Sequence, residues 1–147
     1  MPSMTGYRRS SHTVYQLHFH FVFSTKYRKP VLRGEVALKT RDMIRDICRA
    51  MDVEILSGHV RPDHVHVLLS VPPHLAPSHV MQAIKGKTSN RLLMNWRELR
   101  REFWGRHLWA RGCFVCSSGN VTDEVIAEYI ATQGADPEEE KRFKITE

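Results

Sequence analysis

The chain has 147 residues, a length typical of one domain, and its 41% hydrophobic and 26% charged residues are typical of a soluble globular protein. No apolar run approaches the roughly 18–20 residues that cross a membrane, and none follows the basic N-terminal residues, so no membrane association and no signal peptide are expected. The net charge is +6, and residues 1–134 carry 19 basic against 11 acidic side chains, which favours a polyanionic partner. Three cysteines without a secretion signal predict reduced thiols and a cytoplasmic location.

The first half of the chain predicts a strand, a helix and a second strand. Aromatic and β-branched residues alternate in part from Val14 to Ser24, which is typical of a strand. Apolar residues recur at mostly helical spacing from Gly34 to Met51 and predict a helix. The segment from Val53 to Val60 predicts the second strand.

A hairpin is predicted to follow. The residues from His64 to Val71 alternate between polar and apolar and predict a third strand, which Pro72 and Pro73 end. The sequence Arg61-Pro62-Asp63 before it favours a tight turn, because proline fixes its own φ angle and aspartate can bond nearby backbone.

The second half predicts a helix at residues 77–95, with helical pieces to Phe103, and a fourth strand at residues 112–117. A last helix is predicted to begin at Thr122, whose hydroxyl can cap it, and to end at Gly134.

This order, β-α-β-β-α-β followed by one helix, predicts an α+β, ferredoxin-like (RRM-like) fold with an antiparallel sheet and an additional C-terminal helix. The helices would cover one face of the sheet and leave the other for nucleic acid or for a partner subunit. We therefore expect an N-terminal extension at residues 1–11, one folded domain at residues 12–134 and a charged flexible tail at residues 135–147.

Two histidines on the third strand form a candidate metal site. His64 and His66 project to the same face of a strand, about 6–7 Å apart, so that their ring nitrogens can converge on one ion. Asp63 can orient the first imidazole as a hydrogen-bond acceptor. His18 and His20 have the same spacing but aromatic neighbours, and we expect them to pack or to contact DNA.

A candidate nucleophile lies on the last helix. Tyr129 and Gln133 are four residues apart and share one helical face. Two imidazoles, an amide oxygen and a phenol together suit phosphodiester chemistry with a tyrosine nucleophile. Taken alone, a tyrosine of this kind is more often a half-buried core residue.

Basic residues beside aromatic ones form candidate DNA contacts, because unpaired bases stack on rings while phosphates meet cations. Lys26, Tyr27 and Arg28 follow the first strand, and Arg111 closes a block that contains Phe103, Trp104 and Trp109. The alternative is ordinary core aromatics with a charged rim.

The second helix carries a further basic stripe of Lys85, Lys87 and Arg91, suited to a phosphate backbone, with a solvated helix face as the alternative. Lys85-Gly86-Lys87-Thr88 resembles the end of a phosphate-binding loop, but position 81 is Met where that motif needs glycine, so ATP binding is not expected.

Cys113 and Cys116 have a zinc-like spacing, but residues three apart on a strand point to opposite faces. We expect them to be buried thiols that do not share an ion.

Taken together, these runs resemble the single-tyrosine HUH transposases of the smallest bacterial insertion sequences, of the "IS two hundred" type. The matching stretches follow the family's order from about residue 12 to residue 134. They are Thr25-Lys26-Tyr27-Arg28, Pro62 to Leu69, Lys85-Gly86-Lys87-Thr88-Ser89, the block from Phe103 to Trp109, and Tyr129-Ile130-Ala131-Thr132-Gln133.

The resemblance implies that Tyr129 is the nucleophile and that His64, His66 and Gln133 hold a divalent metal, for which we expect Mg²⁺ with Mn²⁺ as a substitute. It implies binding of hairpins near the ends of single-stranded insertion-sequence DNA, and cutting and rejoining through a 5′-phosphotyrosine. It also implies a homodimer whose active sites are shared in trans.

Two other functions remain open at this point. One is a domesticated relative that processes repeated palindromes by the same chemistry. The other is a ferredoxin-like module that binds single-stranded nucleic acid without catalysis, in which the histidines only pack.

Overall fold

The computed structural model describes residues 7–104, 107–117 and 143–146. The strands are β1 (Arg8–Arg9), β2 (Val14–Tyr15), β3 (His18–Ser24), β4 (Glu54–Arg61), β5 (His64–Ser70), β6 (Phe114–Ser117) and β7 (Phe143–Ile145). The helices are α1 (Gly34–Ala50), α2 (Pro77–Asn95) and α3 (Arg97–Glu102), with a short 3-10 turn at Lys26–Arg28.

The main sheet has five strands in the order β6-β3-β5-β4-β7. The four strands β6, β3, β5 and β4 are antiparallel to their neighbours, and β7 runs parallel to β4. The elements β3, α1, β4, β5, α2 and β6 follow the expected β-α-β-β-α-β order. The α+β class predicted from the sequence is confirmed.

Alternation along the central strands divides the sheet into two faces. Phe21, Phe23, Val65 and Val67 are buried on one face, in the same core cluster as the apolar residues of α1 and α2. The register places His64 and His66 on the opposite face. The histidines therefore lie on the side of the sheet away from the hydrophobic core.

The strand predicted from Val14 to Ser24 is divided in the structure. Its first part, β2, pairs with β1 in a separate two-stranded sheet, and only β3 enters the main sheet. Arg8 holds this small sheet against the domain, because its guanidinium donates to the carbonyl and hydroxyl of Ser70 and to Asp52, and lies 5.2 Å from the centroid of the Tyr15 ring. Part of the expected N-terminal extension is thus fixed to the domain.

The expectation of a flexible tail is wrong for its last described residues. Strand β7 pairs with β4, and the Phe143 side chain is buried against Gly58. An ideal Cβ on Gly58 would lie 2.7 Å from Phe143 Cδ1, so only glycine leaves room for this ring. Residues 135–142 lie outside the described residues.

Element bounds otherwise differ by one or two residues. Strand β6 begins at Phe114 rather than at Gly112, whose φ of +71° is incompatible with a regular strand. The helix predicted from Thr122 to Gly134 lies outside the described residues. Among the helices of residues 7–104, none is long and apolar enough to span a membrane.

Candidate metal and nucleic-acid site

Asp63 orients the first histidine, as the sequence predicts. His64 Nδ1 lies 2.8 Å from Asp63 Oδ1, and Arg28 Nε donates to the other carboxylate oxygen at 3.1 Å. Burial by itself would raise the pKa of Asp63, but the hydrogen bonds from His64 and Arg28 and their charges outweigh it and lower this pKa. A carboxylate is therefore held beside His64, and it leaves Nε2 of that ring to face a ligand.

His66 lies on the same face of β5 within a cluster of three imidazoles. Its direct cross-strand neighbour on β4 is His59, and its ring centroid lies 5.7 Å from that of His20 on β3. Burial, followed by the like charges of His20, His64 and His59, lowers the pKa of His66 to about 4. The ring is therefore neutral at pH 7, which is the form that binds a metal ion.

His59 and His20 adjoin His66, and the sequence patterns did not single out His59. Burial and the nearby charges of Arg61, His64 and Lys144 lower the pKa of His59 to about 4, and its Nε2 is hydrogen-bonded to the hydroxyl of Thr146. The two-residue turn before His64 fixes the register of the hairpin. The pairing of His59 with His66 could therefore have been predicted from the sequence. The packing role expected for His20 fits its 1% exposure.

The pair His64 and His66 fits half of a metal site. Both side chains lie on one face of β5, one is oriented by a carboxylate and the other is kept neutral. Within residues 7–104, 107–117 and 143–146, no group of three or more His, Cys, Asp or Glu side chains could hold an ion. Gln133 and Tyr129, the expected companions, lie outside the described residues.

The 3-10 turn after β3 presents the predicted DNA-contacting residues. Tyr27 is 69% exposed and has a φ of +63°, a conformation uncommon for an aromatic residue. Arg28 follows with a φ of +54°, and Lys26 Nζ lies 5.6 Å from the centroid of the Tyr27 ring. Strained backbone of this kind concentrates at functional sites.

The basic residues of α2 do not form one uniform stripe. Lys85 Nζ donates to the carbonyls of Ala110 and Gly112 at 2.8 and 2.7 Å, so it also holds the loop before β6 against the helix. Burial lowers the pKa of Lys85. Lys87 and Arg91 are exposed, in agreement with either a phosphate contact or a solvated face.

The aromatic block divides between core and surface. Phe103 and Trp109 are buried, and Trp109 Nε1 donates to the hydroxyl of Thr88 at 2.8 Å, whereas Trp104 is 85% exposed. Arg111 is exposed near the same loop. Among the aromatic residues predicted to contact DNA, Trp104 and Tyr27 therefore have exposed rings that can stack on a base.

The prediction of buried thiols is wrong for the Cys113 and Cys116 pair. Cys113 is exposed and Cys116 half-buried, because β6 is an edge strand whose flanking residues are also largely exposed. Cys48, in α1, is the buried thiol, and burial raises its pKa to about 12.

The chain matches known proteins over most of its length. Residues 13–133 match the family model described as "Transposase IS200 like". The ISDra2 transposase TnpA of Deinococcus radiodurans is 37% identical over 120 residues, covering 82% of this chain and 86% of that protein. A transposase for insertion sequence element IS200 of Salmonella typhimurium is 33% identical over 123 residues, covering 84% of this chain and 80% of that protein.

Solved structures show the same fold. A crystal structure from Deinococcus radiodurans R1, of a protein assigned as a transposase, superposes with a TM-score of 0.72 at 32% identity and covers 88% of this chain and 99% of that one. A REP-associated tyrosine transposase bound to a REP hairpin superposes with a TM-score of 0.59 at 16% identity, covering 86% and 75%. At that identity the second likeness speaks for the fold alone.

Proposed function

The chain belongs to the family of IS200-like transposases, and on that premise we propose that it binds hairpins near the ends of single-stranded insertion-sequence DNA and cuts and rejoins that DNA. Cleavage proceeds through a 5′-phosphotyrosine on Tyr129, at a divalent metal held by His64, His66 and Gln133. The observation that carries the proposal is the histidine pair on one face of β5, in which Asp63 orients His64 and burial keeps His66 neutral.

Tyr129 supplies the nucleophile. Its phenol oxygen attacks the phosphorus of the scissile phosphodiester, and the bond from phosphorus to the 3′-oxygen breaks. The phenol loses its proton and the departing oxygen gains one, leaving a 5′-phosphotyrosine and a 3′-hydroxyl. Because the new ester keeps the energy of the broken bond, the 3′-hydroxyl of another DNA end can reverse the reaction and join the two ends.

A phenol with a pKa of about 10 is a weak nucleophile at neutral pH. A Mg²⁺ ion, or Mn²⁺ in its place, would be held by ring nitrogens of His64 and His66 and by the amide oxygen of Gln133, a mixed donor set that suits either metal. When bound, it would supply polarisation of the scissile phosphate and neutralisation of the developing charge. Asp63 keeps the His64 ring in the orientation that ligation needs.

The proposal of a DNA partner rests on the exposed basic and aromatic side chains and on the similarity to known transposases. Lys26, Arg28 and Arg111 can contact phosphates, and the exposed rings of Tyr27 and Trp104 can stack on unpaired bases. The REP-associated relative was solved with a REP hairpin, which supports hairpin binding by the shared fold. Processing of repeated palindromes is the second candidate, and the 37% identity to an insertion-sequence transposase makes it the weaker one.

The test is formation of a covalent adduct. A labelled single-stranded insertion-sequence end, incubated with wild-type protein and Mg²⁺, should give a protein–DNA adduct that survives denaturing electrophoresis. His64→Ala and His66→Ala should abolish it, whereas His18→Ala, which removes a half-buried histidine elsewhere on the sheet, should not. Adduct formation without divalent metal, or its loss in the His18 variant alone, would contradict the proposed site.

A further inference from the structure

A basic cavity lies between α2 and the loop that precedes β6. Its volume is about 670 Å³, within the range of about 300–1,000 Å³ that small-ligand pockets occupy. Lys26, Lys85 and Arg111 contribute cationic groups and Gln82 and Asn90 contribute amides. Within the described part of the chain no carboxylate lines it, so the cavity favours an anionic ligand with hydrogen-bonding edges.

The wall formed by α2 contains a glycine that the fold does not require. Gly86 lies in the interior of the helix without a positive φ, and a Cβ built on it meets no described atom within 4 Å. Glycine disfavours a helix interior relative to alanine. Neither packing nor backbone conformation explains why position 86 is glycine. A ligand that approaches the helix backbone closely would explain it, because a side chain there would block the approach.

The loop opposite Gly86 is fixed in place. Lys85 donates to the carbonyls of Ala110 and Gly112, Trp109 donates to Thr88, and the Ala110 amide donates to the carbonyl of Ser24. Hydrogen bonds thus join the walls of the cavity to one another, so ligand binding does not carry the entropic cost of ordering this loop.

The cavity lies at the same end of β3 as His64 but on the α2 side of the sheet. Ser24, at the end of β3, is opposite His64 on β5, and the next residue, Thr25, bridges to Trp109 in the cavity wall. Two strand spacings, about 10 Å, separate the histidine strand from this wall along the sheet. A DNA strand whose phosphate lies at the histidines therefore reaches the cavity by passing round the edge of the sheet beside Trp109.

We propose that this cavity binds one unpaired nucleotide of the strand that is cut, with its base against Gly86 and its phosphate between Lys26 and Arg111. The proposal rests on the proposed function, since it assumes that DNA is bound at the histidine face. The amides of Gln82 and Asn90 both donate and accept, as contact with the edge of a base requires.

The experiment measures binding of two fluorescein-labelled DNAs by anisotropy. One carries a palindromic hairpin taken from the DNA that flanks the gene, with unpaired flanks on both sides, and the other carries the same hairpin alone. Gly86→Leu, which fills the space beside the helix, should weaken binding of the flanked DNA about tenfold and leave binding of the hairpin unchanged. His79→Ala, an exposed position of α2 outside the cavity, is the matched control and should change neither.

Gly86→Ala separates a binding role from a structural one. It should raise the melting temperature by about 3–5 °C, because alanine is the better helix former and its Cβ meets nothing, yet it should weaken binding of the flanked DNA. A raised melting temperature with unchanged binding of the flanked DNA by both Gly86 variants would overturn the proposal.

Removal of single bases identifies the nucleotide. The nucleotides of the flanks are replaced by abasic sites one position at a time. At one position the affinity of wild type for the DNA should fall about tenfold, and at that position the affinity of Gly86→Leu should fall no further. A flat scan would overturn the base contact. If wild-type protein bound neither DNA, the proposed function would be contradicted as well. The other negative outcomes would contradict only the role of the cavity.

Discussion

At the scale of single residues, Asp63 determines how His64 can act. Its two carboxylate oxygens bond different partners, Nδ1 of His64 and Nε of Arg28, so the carboxylate is held on both sides. The sequence predicted this contact because the two residues are adjacent at a turn. It did not predict Arg28, which reaches Asp63 only because the chain after β3 returns beside the hairpin.

We expect Asp63→Asn to lower the affinity for Mn²⁺ by about 10- to 100-fold, because the asparagine amide lacks the charged oxygen that accepts from Nδ1 of His64 and fixes its ring. Titration calorimetry measures this. Arg28→Ala, which removes the other partner of the same carboxylate, is the control and should have a smaller effect. Equal affinity in Asp63→Asn and wild type would show that the carboxylate does not orient the ligand.

At the scale of elements, local signals predicted most of the fold and long-range contacts account for the errors. The β4-β5 hairpin could be predicted because its turn, its alternation and its length are all local. The small sheet of β1 and β2 is joined to the domain by Arg8, which bonds residues more than 40 positions away. Strand β7 depends on the packing of Phe143 against Gly58, and the sequence around either residue contains no local pattern that predicts this contact.

Strand β7 gives a prediction on stability. Phe143→Ala should lower the free energy of unfolding by about 3 kcal/mol, because it removes a fully buried ring from the core. Lys144→Ala, in the same strand but on the opposite face, should change it by less than about 1 kcal/mol. Urea unfolding followed by circular dichroism distinguishes them.

A second variant checks the packing itself. Gly58→Ala should also destabilise the protein, since its Cβ would overlap the Phe143 ring, and Phe143→Leu in the Gly58→Ala background should recover part of the loss. If Phe143→Ala unfolds at the same urea concentration as wild type, β7 does not contribute to the fold in solution.

At the scale of the whole molecule, the arrangement of subunits is a proposal. The sequence identified the family because several weak motifs occur in the right order over residues 12–134, and the family match over residues 13–133 confirms this. Catalysis in trans rests on that resemblance. The return of the chain to β4 of its own sheet makes assembly in cis the competing arrangement.

Complementation distinguishes the two arrangements. Tyr129→Phe protein is mixed with His64→Ala/His66→Ala protein under conditions that exchange subunits. In trans, a mixed dimer combines intact histidines from one chain with intact Tyr129 from the other, so cleavage should recover and the adduct should form on the histidine-mutant chain. No recovery, with heterodimers demonstrated by mass, would favour the cis arrangement.

The central claim is that Tyr129 becomes covalently linked to DNA, and peptide mapping of the adduct tests it most directly. Wild-type protein is incubated with a single-stranded insertion-sequence end and Mg²⁺, digested with nuclease and protease, and analysed by tandem mass spectrometry. We predict that a 5′-phosphonucleotide is attached to Tyr129, and that Tyr129→Phe gives no adduct while binding the hairpin with nearly unchanged affinity. A nucleotide attached to any other residue, or an equal yield of adduct from Tyr129→Phe, would contradict the account.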